Sequence, residues 1–277
     1  MDGAATKLVK EKSHAIRIAI LETLNDSKPG HLGGSSSCVD LIAALYFYKM
    51  RHDPKRPSWE ERDRFILSKG HASLAQYAAL AEAGYFDKSE LATFKDLGSK
   101  FQGHPEKGKV AGVEASTGSL GQGLSVGLGM ALAAKLSKKD YRVYVLLGDG
   151  ELQEGQVWEA AMAAAHYKLD NLIAIVDRNN LQVDGEVEQV LHLEPLLDKW
   201  TAFGWDSMII DGHDIEKICH ALDSAAKSTE KPKVIIANTI KGKDFSFAEN
   251  NVSYHNCQLT PEQYQRAKEQ LLGKEVK

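Results

Sequence analysis

The chain has 277 residues, enough for one large domain or two small ones and for a substantial buried core. Hydrophobic residues make up 43% and charged residues 26%, the balance of an ordinary soluble globular protein. A net charge of -4 without a concentrated basic stripe argues against a nucleic-acid surface, and no apolar run is long enough to cross a bilayer.

In chain order, the opening MDGAATKLVKEKSHAIRIAI reads as an amphipathic helix rather than a signal peptide. Cys38, Cys219 and Cys257 lie far apart with no metal or redox spacing, which fits a reducing, cytoplasmic setting. Five apolar runs, at 65–67, 143–147, 172–176, 208–210 and 234–237, each predict a buried strand, since strands covered on both faces lose polar alternation. Ala-rich stretches at 74–83, 124–136 and 157–167 predict helices between them, and the Lys/Glu/Gln-rich end, about 260–277, predicts an exposed terminal helix. Strand–helix alternation with no linker predicts one α/β domain over 1–277, a parallel sheet with helices on both faces. In such sheets ligands bind beyond the strand carboxyl ends, so the residues just after the apolar runs carry the functional information.

The run 141–147 ends in Gly148-Asp149-Gly150-Glu151, and the next strand ends in Asp177-Arg178-Asn179-Asn180-Leu181. One βαβ unit brings Asp149 and Asn179, 30 positions apart, to the same sheet edge. A carboxylate and an amide carbonyl converging there form a hard-oxygen site suited to Mg²⁺, which takes its remaining ligands from phosphate and water. Gly148 and Gly150 let backbone amides approach a phosphate. Either motif alone is commonly a turn; their joint placement at consecutive strand ends is specific.

Further segments carry a histidine or a Gly-rich turn. They are Lys28-Pro29-Gly30-His31-Leu32-Gly33-Gly34, Ser68-Lys69-Gly70-His71, Gln102-Gly103-His104-Pro105-Glu106, Ser116-Thr117-Gly118-Ser119-Leu120-Gly121-Gln122-Gly123, Lys241-Gly242-Lys243 and Tyr254-His255. Four histidines beside glycine turns predict a polar active-site rim, since imidazole handles proton transfer and alkoxide charge near neutral pH. Thr117-Gly118 stand before a helix predicted from about Leu120, whose amino end is a place for phosphate. Gly121, Gly123, Gly127 and Gly129 each cost about 1 kcal/mol relative to Ala in a helix. They predict close packing against another backbone, within the domain or across a subunit interface.

The Gly-Asp-Gly to Asn spacing resembles the signature of thiamine-diphosphate enzymes, and the order of the other segments resembles the amino-terminal half of transketolase, up to about residue 260. That resemblance implies a metal held by Asp149, Asn179 and the Leu181 carbonyl, with Mg²⁺ as the ion and Ca²⁺ or Mn²⁺ able to substitute. It implies thiamine-diphosphate contacts from His71, Gly118, Ser119, Leu120, Gly148, Gly150, Glu151, Glu154 and His255. His71 and His255 would serve the diphosphate end and its transition to the reacting carbon, and His31 and His104 the donor hydroxyls. Two departures stand out: His31-Leu32-Gly33 replaces the family's His-Pro-Gly, and His255 is followed by Asn256 rather than Gly.

The family's pyrimidine-binding domain and most of its sugar-phosphate grip have no counterpart here. The resemblance therefore implies a split enzyme. This subunit would pair with a separate chain carrying the pyrimidine domain, two such pairs would assemble, and ketol units would move between sugar phosphates. The rivals are a component of a 2-oxo-acid dehydrogenase, a deoxyxylulose-phosphate synthase type, or a non-catalytic cofactor-binding subunit.

Overall fold

All five apolar runs form strands, and all run parallel in one sheet. The computed structural model describes residues 3–273. In chain order the elements are α1 (Gly3–Leu24), α2 (Leu32–Ser37), α3 (Val39–Ala44), β1 (Arg64–Leu67), α4 (Ser73–Glu82), α5 (Gln122–Leu136), β2 (Val143–Gly148), α6 (Gly155–His166) and β3 (Leu172–Arg178). A small hairpin follows, β4 (Leu181–Gln182) with β5 (Gly185–Glu186), then α7 (Val187–Val190), α8 (Leu196–Ala202), β6 (Asp206–Asp211), α9 (Ile215–Ala225), β7 (Lys233–Asn238) and α10 (Pro261–Leu272). The sheet order is β1-β2-β3-β7-β6, so the chain skips a place at β6 and returns to fill it beside β3.

The two-residue period of the strands splits the core in two. Leu67, Leu146, Ile175 and Ile235 lie in register and point into one cluster with α1, α3, α4 and α9. Ile66, Val145, Ala174 and Val234 point the other way, into a cluster with α5, α6 and α8. This is an α/β fold with helices on both sheet faces. No helix among the described residues is long and apolar enough to cross a membrane.

Three expectations change. The run at 208–210 is the edge strand β6 and not a doubly buried one: Met208 packs on the first cluster, but Ile209, pointing to the other face, is 47% exposed. The terminal helix is not simply exposed. Thr260 and Gln263 form its capping box, and Ala267 and Leu271 are buried in the cluster that α1 shares; positions 274–277 of the expected helix lie outside the described residues. Lastly, α5 begins at Gln122, two positions later than expected, with Gly121 as its amino-terminal cap.

Two of the α5 glycines are explained by packing within the chain. A Cβ on Gly123 would lie 2.7 Å from the Cα of Ser68, and one on Gly127 would meet the Val145 side chain at 2.5 Å. A Cβ on Gly129 would have nothing within 4 Å, and nothing among the described residues accounts for that glycine.

Candidate active site

The loops leaving β1, β2, β3 and β7 converge on one cleft of about 740 Å³, including its open mouth. Its walls include His71, Leu120, Gly148, Asp149, Gly150, Glu151, Glu154, Asn179, Leu181 and His255, gathered from separate sequence segments. Parallel topology brings them together: Gly148 sits opposite Asp177 in the β2–β3 register, so Asp149 and Asn179 follow side by side.

Asp149 is 4% exposed and Asn179 6%. The Asp149 carboxylate accepts from the backbone N–H of Gly150 at 2.9 Å and from that of Asn180. The Asn179 Oδ1 accepts from the Leu181 N–H at 3.1 Å. The carbonyl of Leu181 faces the Lys241 ammonium, 2.9 Å away. Burial, reinforced by the charge of Asp177, pushes the Asp149 carboxyl up to about 6. A buried carboxylate held above its ordinary range is one that a bound cation would stabilise.

Among the described residues no three His, Cys, Asp or Glu side chains are grouped to hold a metal by themselves. The donors that do converge are one carboxylate, one amide oxygen and one main-chain carbonyl. Such a set suits a hard divalent ion that completes its shell from a diphosphate, and does not suit a structural zinc.

The four histidines meet beside this cleft. His31 is the hub, with ring centroids 5.4 Å from His71, 5.9 Å from His104 and 5.5 Å from His255. His71 and His255 are 5.0 Å apart, so the Asn256 departure does not keep His255 from the group. Burial and then Lys95 bring His31 down to about 4, and burial and then Lys241 bring His255 down to about 3. His71 and His104 are lowered by the same causes, burial first and a neighbouring lysine second. All four rings are therefore neutral near pH 7. In this chain they are hydrogen-bonding groups first, and general acids only once a substrate or anion changes their field.

Three of the expected contact residues have the following surroundings. Glu151 lines the cleft, but its carboxylate accepts from Ser68, from the Gly121 N–H at 2.9 Å and from the Gly148 N–H at 3.0 Å. It braces the two loops, and it takes the Gly121 amide at the amino end of α5, where a phosphate was expected. Ser119 is exposed, and Gly118 backs the His104 ring, where a Cβ would lie 3.0 Å from Cδ2.

Two lysines were missed in the sequence. Lys69 and Lys241 are 1% and 2% exposed, and both line the cleft. Each stands in a segment already notable for its glycine, Lys69-Gly70-His71 and Lys241-Gly242, but a lysine ordinarily reads as a solvated residue. Burial followed by repulsion from Lys69 lowers the Lys241 ammonium to about 8.

Gly70 shows how tightly the loops are set. A Cβ there would sit 2.7 Å from the Gly118 nitrogen and from the Thr117 carbonyl carbon, both backbone atoms that cannot rotate away. Gly70→Ala is expected to destabilise the chain by about 1–3 kcal/mol through overpacking, measured by urea denaturation. A wild-type midpoint would show that the two loops are not in contact.

Comparison with known proteins agrees with this geometry. Residues 8–276 match the family described as transketolase, thiamine diphosphate binding domain. The chain is 44% identical over 263 residues to the 6-deoxy-6-sulfo-D-fructose transketolase subunit of Clostridium sp. strain MSTE9, covering 95% of this chain and 96% of that one. It is 45% identical over 267 residues to an apulose-4-phosphate transketolase subunit of Phocaeicola vulgatus, covering 96% and 94%. Human transketolase is 39% identical over 93% of this chain but 41% of its own length. A solved transketolase variant from Pichia stipitis superposes with a TM-score of 0.89 at 34% identity, over 95% of this chain and 40% of that chain. The chain thus spans about two fifths of that solved transketolase, and nearly all of the two relatives named as subunits. It belongs to the transketolase family, as a thiamine-diphosphate-binding domain.

Proposed function

We propose that this chain is the Mg²⁺- and thiamine-diphosphate-holding subunit of a two-chain transketolase that moves a two-carbon ketol unit between sugar phosphates. The observation that carries the reading is the convergence of Asp149, Asn179 and the Leu181 carbonyl beside four neutral histidines gathered around His31. A subunit that merely stored the cofactor would need the oxygens but not the imidazoles.

In this reading Asp149, Asn179 and Leu181 hold the ion, Lys241 and His71 offer donors to the diphosphate, and Gly148 and Gly150 line the cleft beside it. Gly118, Leu120, Glu154 and His255 shape the cofactor's surroundings. Bound thiamine diphosphate supplies the nucleophilic carbon that carries the two-carbon unit. His31 and His104 hydrogen-bond donor hydroxyls, and neutral imidazoles can accept a hydroxyl proton as well as donate one. A separate chain carrying the pyrimidine-binding domain closes the cleft and excludes water, and two such pairs form the assembly, in the cytoplasm.

The relatives' names point to ketoses with an anionic group at the far end, a 6-sulfo sugar in one case and a 4-phosphate in the other. Purified chain and partner should therefore convert xylulose 5-phosphate plus ribose 5-phosphate, apulose 4-phosphate or 6-deoxy-6-sulfofructose, and leave pyruvate untouched. Turnover of pyruvate alone would move the chain to the 2-oxo-acid or deoxyxylulose-phosphate group.

A further inference from the structure

Beneath the cleft, outside the set that would touch an ion, lies a fully buried charge network. Asp177 lies near the end of β3 and is completely buried. Its carboxylate accepts from the Lys69 ammonium, from Ser37 Oγ at 2.5 Å, from Thr239 Oγ1 and from the Asn179 Nδ2 at 3.3 Å. Lys69 also donates to the Gly34 carbonyl at 2.6 Å. The group thus ties together the ends of β1, β3 and β7 and the helix α2.

An ionised carboxylate can only accept. Facing Asn179, it therefore forces the amide nitrogen toward itself and turns Oδ1 the other way, toward the Leu181 N–H and the cleft. The Leu181 N–H holds Oδ1 from the opposite side, so the two neighbours select the same flip; the alternative would present nitrogen, which cannot ligate a hard cation. Lys69 supplies the positive charge that pairs with the wholly buried Asp177 carboxylate.

We infer that the Lys69–Asp177 pair is a positioning device for the divalent-ion site: it fixes the flip of the Asn179 amide so that oxygen, and not nitrogen, faces the ion. This rests on the metal site put forward under the proposed function. Outer groups that orient a ligand typically contribute 10–100-fold in metal affinity.

The test uses the full chain with thiamine diphosphate and Mn²⁺ as the paramagnetic probe, read by electron paramagnetic resonance. In D177N the Mn²⁺ dissociation constant should rise about 10–100-fold. K69M/D177N removes both charges together and keeps the chain folded where the single change does not; the same loss is expected there, with a wild-type melting temperature. In D177N/N179D affinity should return to within a few-fold of wild type. A carboxylate has oxygen on both sides and needs nothing to orient it; N179D alone measures what its added charge contributes, and a gain in D177N/N179D over D177N no larger than that of N179D over wild type overturns the inference. Unchanged Mn²⁺ affinity in D177N and K69M/D177N, or no recovery in D177N/N179D, overturns the inference. If the wild-type chain takes up no Mn²⁺ with the cofactor, the metal site itself fails and the inference falls with it, before any variant is compared.

Discussion

Asp149→Ala is expected to abolish Mg²⁺-dependent binding of thiamine diphosphate, with a loss beyond the roughly 10–100-fold that changes in ligand-orienting groups cost. Asn179 and the Leu181 carbonyl contribute only partial charge, so Asp149 is the one full negative charge in the ligating set. Without it the ion would face two neutral oxygens and the Lys241 ammonium. Titration calorimetry with the cofactor, with and without Mg²⁺, reads the effect directly. Wild-type affinity in the variant would remove Asp149 from the metal site. The same group sets a pH dependence. Its carboxyl is raised from 3.8 to about 6 in the folded chain, so the folded state holds this proton more tightly than the unfolded one. Without metal, raising the pH from about 4 to 6 therefore costs stability at this residue. Metal binding needs the ionised form, so affinity should fall about tenfold per pH unit below 6 and should level off above it.

The second large effect is all-or-none. The chain purified alone should show no transketolase turnover, and adding the pyrimidine-domain chain should produce it. The reason lies in what the cleft contains. It supplies hard oxygens, ammonium groups and neutral imidazoles, all suited to a diphosphate and to sugar hydroxyls. Its mouth is open to solvent, so the chain alone would not exclude water from the carbon nucleophile that bound thiamine diphosphate would supply. A coupled assay for ketol transfer, run on each chain separately and on the mixture, measures this. Robust turnover by the single chain would show that a second chain is not required.

Most of the fold could be read from the sequence because parallel strands covered on both faces cannot hide: Val143 through Leu147 and Leu172 through Val176 are unbroken apolar runs. The edge position of β6 could not be read, since Met208-Ile209-Ile210 looks the same whether one face or two is covered. At the site, Asp149, His31, His71 and His104 stand in glycine-bearing segments, Asn179 and Leu181 follow the end of β3, and the parallel topology brings them to one sheet edge. Lys69 escaped because its burial depends on Asp177, 108 positions away in the chain. The bracing role of Glu151 escaped for a related reason. Its neighbours in sequence suggest a phosphate contact, but Gly121 and Ser68 reach it first, and both arrive from distant segments.

The abutment of Gly70 on Thr117 and Gly118 has a bearing on how such a site can change over time. One loop carries the His71 imidazole and the other supports that of His104, so neither ring can be shifted without disturbing its counterpart. Substitutions in the two segments should therefore display strong epistasis. Drift toward new sugars would then be channelled to outlying positions such as Lys95, leaving the interlocked pair as the inherited, slowly varying frame.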